Sequence, residues 1–207
     1  RFHQIIGKFK TRRIIVLGDL MLDKYIWGKV ERISPEAPVQ VVSVQKETYT
    51  PGGASNVANN ITSLLGRVAL VGVVGDDIAK RHLLSVLKKK KIDISGIITD
   101  RYRPTVEKVR IIGQNQQLLR VDYEKPGYIS PNDEKRMQSF ISKINNKTDA
   151  YIISDYAKGV VTKNIVLALM KTKKPVIVDP KPIHMSFYKG VYAVTPNLKE
   201  AKEMAMM

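Results

Sequence analysis

No cysteine occurs in this chain, so disulfide bridges and thiolate metal sites are excluded, a composition that suits a reducing cytoplasm. No apolar run approaches the roughly 20 residues that a membrane span needs, and no basic-then-apolar leader opens the sequence. Internal repeats and low-complexity stretches are missing too. A soluble cytoplasmic protein without a membrane partner is the expectation. Acids are scarce: 19 Asp and Glu stand against 35 Lys and Arg, a formal net charge of +16. That balance suits phosphorylated metabolites, nucleic acid or anionic lipid. The densest run, Lys88-Lys89-Lys90-Lys91, follows Leu83, Leu84, Val86 and Leu87 and reads as a solvated helix end, where cations suit the dipole. It has none of the interleaved aromatic residues that single-strand binding uses, so nucleic acid is not expected.

What is present points to one α/β domain over residues 1–207, whose 43% hydrophobic residues suffice for one sizeable core. Short, continuously apolar runs at 14–17, 68–74, 151–154, 176–179 and 192–195 read as strands covered on both faces. Helical patterns at about 55–65, 78–90, 132–145 and 163–171 lie between them, the third opened by Ser130-Pro131-Asn132-Asp133-Glu134 with a cap, an early proline and acids. This rhythm predicts a doubly wound, mainly parallel sheet flanked by helices. The runs 39–44, 105–112 and 118–123 alternate apolar with polar instead, and predict a small β-sheet lid drawn from segments about 24–50 and 103–124.

Candidate binding residues sit where the strands end, the place at which open α/β sheets hold ligands. Gly52 and Gly53 open the helical pattern that carries Asn56, and their missing Cβ atoms let a hydroxylated or anionic ligand approach the first helical N–H groups. Asp19, after Gly18, is placed either to accept hydrogen bonds from a sugar diol or to cap a turn. Lys158 and Lys181 follow later strands and could hold a phosphate as point charges. Asn197 and Glu200, three apart at a helix start, could reach a hydrated magnesium ion or simply form an acidic first turn.

In this order the pieces resemble the ribokinase-like (PfkB) carbohydrate kinase family from about Arg13 to Glu200. Gly18-Asp19, Gly52 to Ala58, Gly72 to Asp77 and Asn197-Leu198-Lys199-Glu200 are family-wide features. Arg32 to Val39, Asn115 to Arg120, Ser154 to Gly159 and Asp179-Pro180-Lys181 are more specific. They are similar to the heptose 7-phosphate kinase half of a bacterial bifunctional enzyme of ADP-heptose synthesis for lipopolysaccharide. The resemblance implies transfer of the ATP γ-phosphate to the anomeric hydroxyl of D-glycero-β-D-manno-heptose 7-phosphate, giving the 1,7-bisphosphate. It implies that Asp19, Gly53 and Asn56 hold sugar hydroxyls, with Gly52 beside them, and that Asn197, Leu198, Lys199 and Glu200 serve the ATP phosphates, Glu200 reaching Mg2+ through water. Lys108, Arg110, Arg120 and Lys158 are candidates for the 7-phosphate end by charge and position. A homodimer through the lid is the expected assembly.

One departure stands out. The family's catalytic base is an aspartate in a Gly-Ala-Gly-Asp loop, and no Gly-x-Gly-Asp occurs in these 207 residues. No catalytic residue is therefore assigned; the base is expected beyond residue 207, the C-terminal part of the fold is expected to be absent, and little or no turnover is expected of this chain alone. Three alternatives compete: a kinase of the same fold for another sugar, a sugar-phosphate-binding fragment without chemistry, and a basic nucleic-acid binder.

Overall fold

The computed structural model describes residues 2–206. After a short helix α1 (Phe2–Gly7), strand β1 (Arg13–Gly18) enters the core and Asp19 passes the chain directly into β2 (Leu20–Ile33). Then follow β3 (Gln40–Gly53), α2 (Ala54–Ser63), β4 (Arg67–Val74), α3 (Ile78–Lys89) and β5 (Asp93–Thr99). The hairpin β6 (Val106–Gly113) and β7 (Gln116–Tyr123) leads to α4 (Pro131–Ile144), β8 (Ala150–Ser154), α5 (Lys163–Lys171), β9 (Val176–Asp179), β10 (Ala193–Val194) and α6 (Leu198–Ala205).

Six strands form a parallel sheet in the order β10-β9-β8-β1-β4-β5. Strand alternation sorts the core into two layers. Ile15 and Leu17 of β1 join Met137 and Ile141 of α4 and Ile165 and Leu169 of α5 on one face. Val16 joins Leu70, Ala54 and Ala58 of α2, and Leu83 and Leu87 of α3 on the other. Both faces are covered, which is why these strands lack polar alternation. From β1 the chain builds β4 and β5 on one side and later β8, β9 and β10 on the other, so the order reverses at β1 and leaves a crevice at its carboxyl end.

The remaining four strands form a mixed sheet, β3-β2-β6-β7, in which β2 pairs antiparallel with β3 and parallel with β6. Its β6–β7 turn is tight because Gln114 and Asn115 both adopt positive φ, 50° and 65°, as a two-residue hairpin of matching twist requires. Asp77 ties this sheet to the first. Its carboxylate caps α3 by accepting from the Lys80 amide (2.8 Å) and accepts from the Thr105 amide and hydroxyl at 2.7 and 2.8 Å, just ahead of β6.

The five predicted core strands all form, with β10 shortened to two residues. β5 and the whole of β2 add to that expectation, and the helix expected to reach Leu65 ends at Ser63, since Leu65 turns to φ 64°. The glycine pair is the end of a strand rather than a free loop: Gly52 and Gly53 still pair with Met21 and Leu20.

Candidate functional site

Gly18 lies in register with Ser154, so close that any Cβ would collide with the Ser154 backbone. That contact brings the ends of β1 and β8 together and sets Asp19 against the loop 155–160. Asp19 is fully buried, and its carboxylate accepts three backbone N–H groups: Tyr156 at 2.8 Å, Lys158 at 3.1 Å and Val160 at 3.1 Å. Ala157 and Gly159 take positive φ, 55° and 94°, and so turn the amides inward as an anion-binding nest. Burial pushes the Asp19 carboxyl above its ordinary 3.8, while the three N–H groups pull the other way. Asp19 thus has its own loop as its hydrogen-bonding partner.

The loop is anchored from beneath. Asp155, also buried, accepts from the Tyr188 hydroxyl, from the Ala157 amide at 2.7 Å, and bonds His184 Nδ1 at 2.6 Å, while His184 Nε2 meets the Tyr128 hydroxyl at 3.2 Å. Burial, then the Asp155 carboxylate, raises the Tyr188 phenol well above the usual tyrosine range. Residues 128, 155, 184 and 188 share no sequence spacing, and the sequence reading missed this support. It also missed the Ser55 and Ser154 hydroxyls, both buried and unpartnered among the described residues.

Across the crevice, Gly53 precedes α2 at φ 53°, and the Ala54 amide donates to the Asp19 carbonyl at 3.0 Å. Asn56 stands exposed on the first turn of α2. Strand register places Asp23 of β2 beside Lys108 of β6, Tyr25 beside Arg110, Lys108 opposite Asp122 and Arg110 opposite Arg120, so these side chains share one face. The four predicted cations are all charge-paired. Arg110 binds Asp23 and lies 5.3 Å over the Tyr25 ring; Lys108 and Arg120 share Asp122 at 3.4 and 2.8 Å; Lys158 meets Glu124 at 2.8 Å. A phosphate would have to exchange with these carboxylates.

The far end of the crevice is a cavity of about 350 Å³ lined by Asp155, Tyr156, Asp179, Lys181, Asn197 and Glu200, among others. Asn197 caps α6 by accepting from the Glu200 amide at 2.9 Å, and Glu200 returns by accepting from the Asn197 amide at 3.1 Å. The other Glu200 oxygen accepts from Lys181 Nζ at 2.7 Å. This bond holds the Glu200 carboxyl below its ordinary 4.5, whereas burial and then the Glu200 charge raise Asp179. Leu198 is 74% exposed, and Lys199 pairs with Glu203 on its own helix at 3.8 Å. Neither lines the cavity. Among the described residues no cluster of three metal-ligating side chains exists; Asp179 and Glu200 are the two carboxylates that line the cavity with Asp155.

Glu200→Gln is expected to remove the ion pair and weaken the cap, costing about 1 kcal/mol. Because the folded pKa is depressed, the stability this group adds is present above 4.5 and lost as pH falls through the folded value. Urea unfolding from neutral pH downward should therefore show a shallower acid loss in the Gln variant; identical slopes would remove Glu200 from the balance.

The family model described as pfkB family carbohydrate kinase matches residues 11–207. "Bifunctional protein HldE" of Wolinella succinogenes is 50% identical over 194 residues, covering 92% of this chain and 41% of the relative. "Bifunctional protein HldE" of Helicobacter pylori (strain J99) is 45% identical over 196 residues, covering 93% and 42%. The chain thus spans about two fifths of the length of these relatives. The crystal structure of phosphofructokinase-2 from Escherichia coli in complex with substrates and products superposes with a TM-score of 0.74 at 19% identity, over 94% of this chain and 63% of that one.

Proposed function

This chain belongs to the pfkB family of carbohydrate kinases, and we propose that it supplies the acceptor-sugar side of a heptose 7-phosphate kinase. The reaction is transfer of the ATP γ-phosphate to the anomeric hydroxyl of D-glycero-β-D-manno-heptose 7-phosphate, giving the 1,7-bisphosphate in ADP-heptose synthesis for the lipopolysaccharide core. The observation that carries this reading is the two-ended crevice. Cations on β6, β7 and the Lys158 loop gather at one end, and the Asn197–Glu200 cavity lies at the other. An acceptor with an anionic tail spans it, its phosphate displacing Asp23 from Arg110 and Asp122 from Lys108 and Arg120. A dianion competes well with a carboxylate for a guanidinium because it offers more acceptor oxygens. Its hydroxyls meet Asn56 and the backbone bared at Gly52 and Gly53, and reach Asp19 once the 155–160 loop shifts away from its carboxylate.

The ATP phosphates enter from the α6 end. Mg2+ there would neutralise phosphate charge, and Asp179 and Glu200 would hold its water shell, relieving their mutual repulsion. Lys181 faces the same cavity as a second cation. The base that takes the acceptor proton is assigned to a Gly-Ala-Gly-Asp loop, which these 207 residues do not contain. The polypeptide alone is accordingly proposed to bind sugar phosphate with little turnover. The second sheet leaves Trp27, Ile33, Val44 and Leu119 exposed, which supports a homodimer through that sheet. A cytoplasmic location follows from the same reading.

Calorimetric titration with heptose 7-phosphate tests the proposal. Arg110→Met keeps the aliphatic stem but removes the charged donor, and should weaken binding by about tenfold to a hundredfold. Unchanged affinity would move the phosphate site elsewhere.

A further inference from the structure

The positive charge is not spread evenly over the fold. All strands of the first sheet run parallel, so each helix returns the chain to one edge, opposite the crevice. Lys8, Lys10, Arg12 and Arg13 lead into β1, and Arg67 begins β4. Lys88 and Lys89 close α3 with Lys90 and Lys91 after them, Lys143 closes α4 with Lys147 after it, and Lys171 closes α5 with Lys173 and Lys174 after it. The acids on these connections are Asp93 and Asp149, paired with Arg13 at 3.0 Å and Arg12 at 2.9 Å.

Helix dipoles account for part of this, since they favour cations within the last turn. Lys90, Lys91, Lys173 and Lys174 lie past the helix ends, and none is paired with an acid among the described residues. The same edge also presents aliphatic side chains. Leu64 and Leu65 are 57% and 71% exposed after α2, and Ile5 and Ile6 are 49% and 53% exposed on the segment leading to β1. Beside Leu65, a recess of about 690 Å³ opens between Lys10, Arg13, Arg67 and Lys91.

We propose that this edge is a peripheral docking surface for an anionic lipid bilayer. Phosphate headgroups fit the recess, Leu64 and Leu65 enter the headgroup boundary, and the crevice faces the water. A bilayer is favoured over nucleic acid because the side chains standing among the cations are aliphatic: leucine and isoleucine partition into an interface, whereas single-stranded nucleic acid calls for aromatic stacking platforms. No helix among the described residues is long and apolar enough to cross a membrane, so the contact is superficial. The inference revises the expectation that no membrane surface is engaged.

Co-sedimentation tests it, using the 207-residue chain with vesicles of mixed phosphatidylglycerol and phosphatidylcholine, pure phosphatidylcholine vesicles, and duplex DNA as competitor. Binding should require phosphatidylglycerol and be reversed by high salt. Each cation at the surface multiplies partitioning roughly fivefold, so Lys88→Gln/Lys89→Gln/Lys90→Gln should lower it on the order of a hundredfold. Leu64→Ser/Leu65→Asn should weaken it at unchanged charge, and Lys135→Gln/Lys163→Gln, on the far ends of α4 and α5, should not. Circular dichroism of each variant separates loss of contact from loss of fold. Absence of vesicle binding, DNA binding in its place, or vesicle binding indifferent to both the lysine and leucine changes would overturn the proposal.

Discussion

Replacing Asp19 with asparagine is expected to lower stability by about 2–4 kcal/mol, since an amide group would confront backbone donors that now share a carboxylate. The Asn oxygen can still accept from one or two of Tyr156, Lys158 and Val160, but its NH2 must face the rest. Part of the loss is returned, because burying a charge in this position is itself unfavourable. The pH dependence isolates that part. With its folded pKa raised above 3.8, Asp19 in the folded state keeps a proton that the unfolded chain has already lost, so its contribution falls as pH rises through that window. The difference between wild type and Asp19→Asn should slope in this direction, opposite to the Glu200 effect. Amide exchange at Tyr156, Lys158 and Val160 should accelerate in the variant; unaltered exchange would mean that the loop holds itself and Asp19 is free for ligand.

Gly53→Ala should cost about 3 kcal/mol and displace the start of α2. Its backbone, at φ 53° and ψ −135°, is a region nearly closed to L-residues, a strain of about 1–3 kcal/mol by itself. An added methyl would also strike the Asp19 carbonyl, the acceptor of the Ala54 amide, and press on Met21 Cγ at 3.1 Å. Gly127→Ala is the matched comparison: Gly127 has φ 99° but nothing within 4 Å of the new Cβ. Urea unfolding should show a clearly larger loss for Gly53, with weaker sugar-phosphate binding to match. Equal losses would mean that backbone strain, and not close approach to Asp19, explains the glycine.

The parts of the fold readable in sequence are those with a local cause. β1, β4 and β9 carry the apolar runs Ile14–Leu17, Val68–Val74 and Val176–Val178 because both faces are covered, and α4 opens with a cap visible as Ser130-Pro131. β5 was missed because Ser95 and Gly96 interrupt its apolar run; Gly96 is there because Phe140 and the Leu70 carbonyl leave no room for a side chain. β2 lies mostly within the lid segment expected at about 24–50, but no strand run was legible there because Asp23, Lys24 and the shift at Trp27 to Gly28 look like loop, when in fact they alternate across a sheet with a polar face. At the site, Gly18, Asp19, Gly53, Asn197 and Glu200 were legible as strand-end and helix-start motifs. The partners of Asp19, the pairing of all four candidate cations and the Asp155–His184–Tyr188 support were not. They join residues up to 141 positions apart, and only the fold brings them together.

The proposed function requires the crevice to select heptose 7-phosphate over other sugar phosphates. Phosphorus NMR of this polypeptide with ATP, magnesium and either heptose 7-phosphate or fructose 6-phosphate tests it directly. Broadening of the heptose 7-phosphate signal, none for fructose 6-phosphate, and no anomeric phosphate product are the expected results. An unperturbed heptose signal, or a stronger response to fructose 6-phosphate, would contradict it.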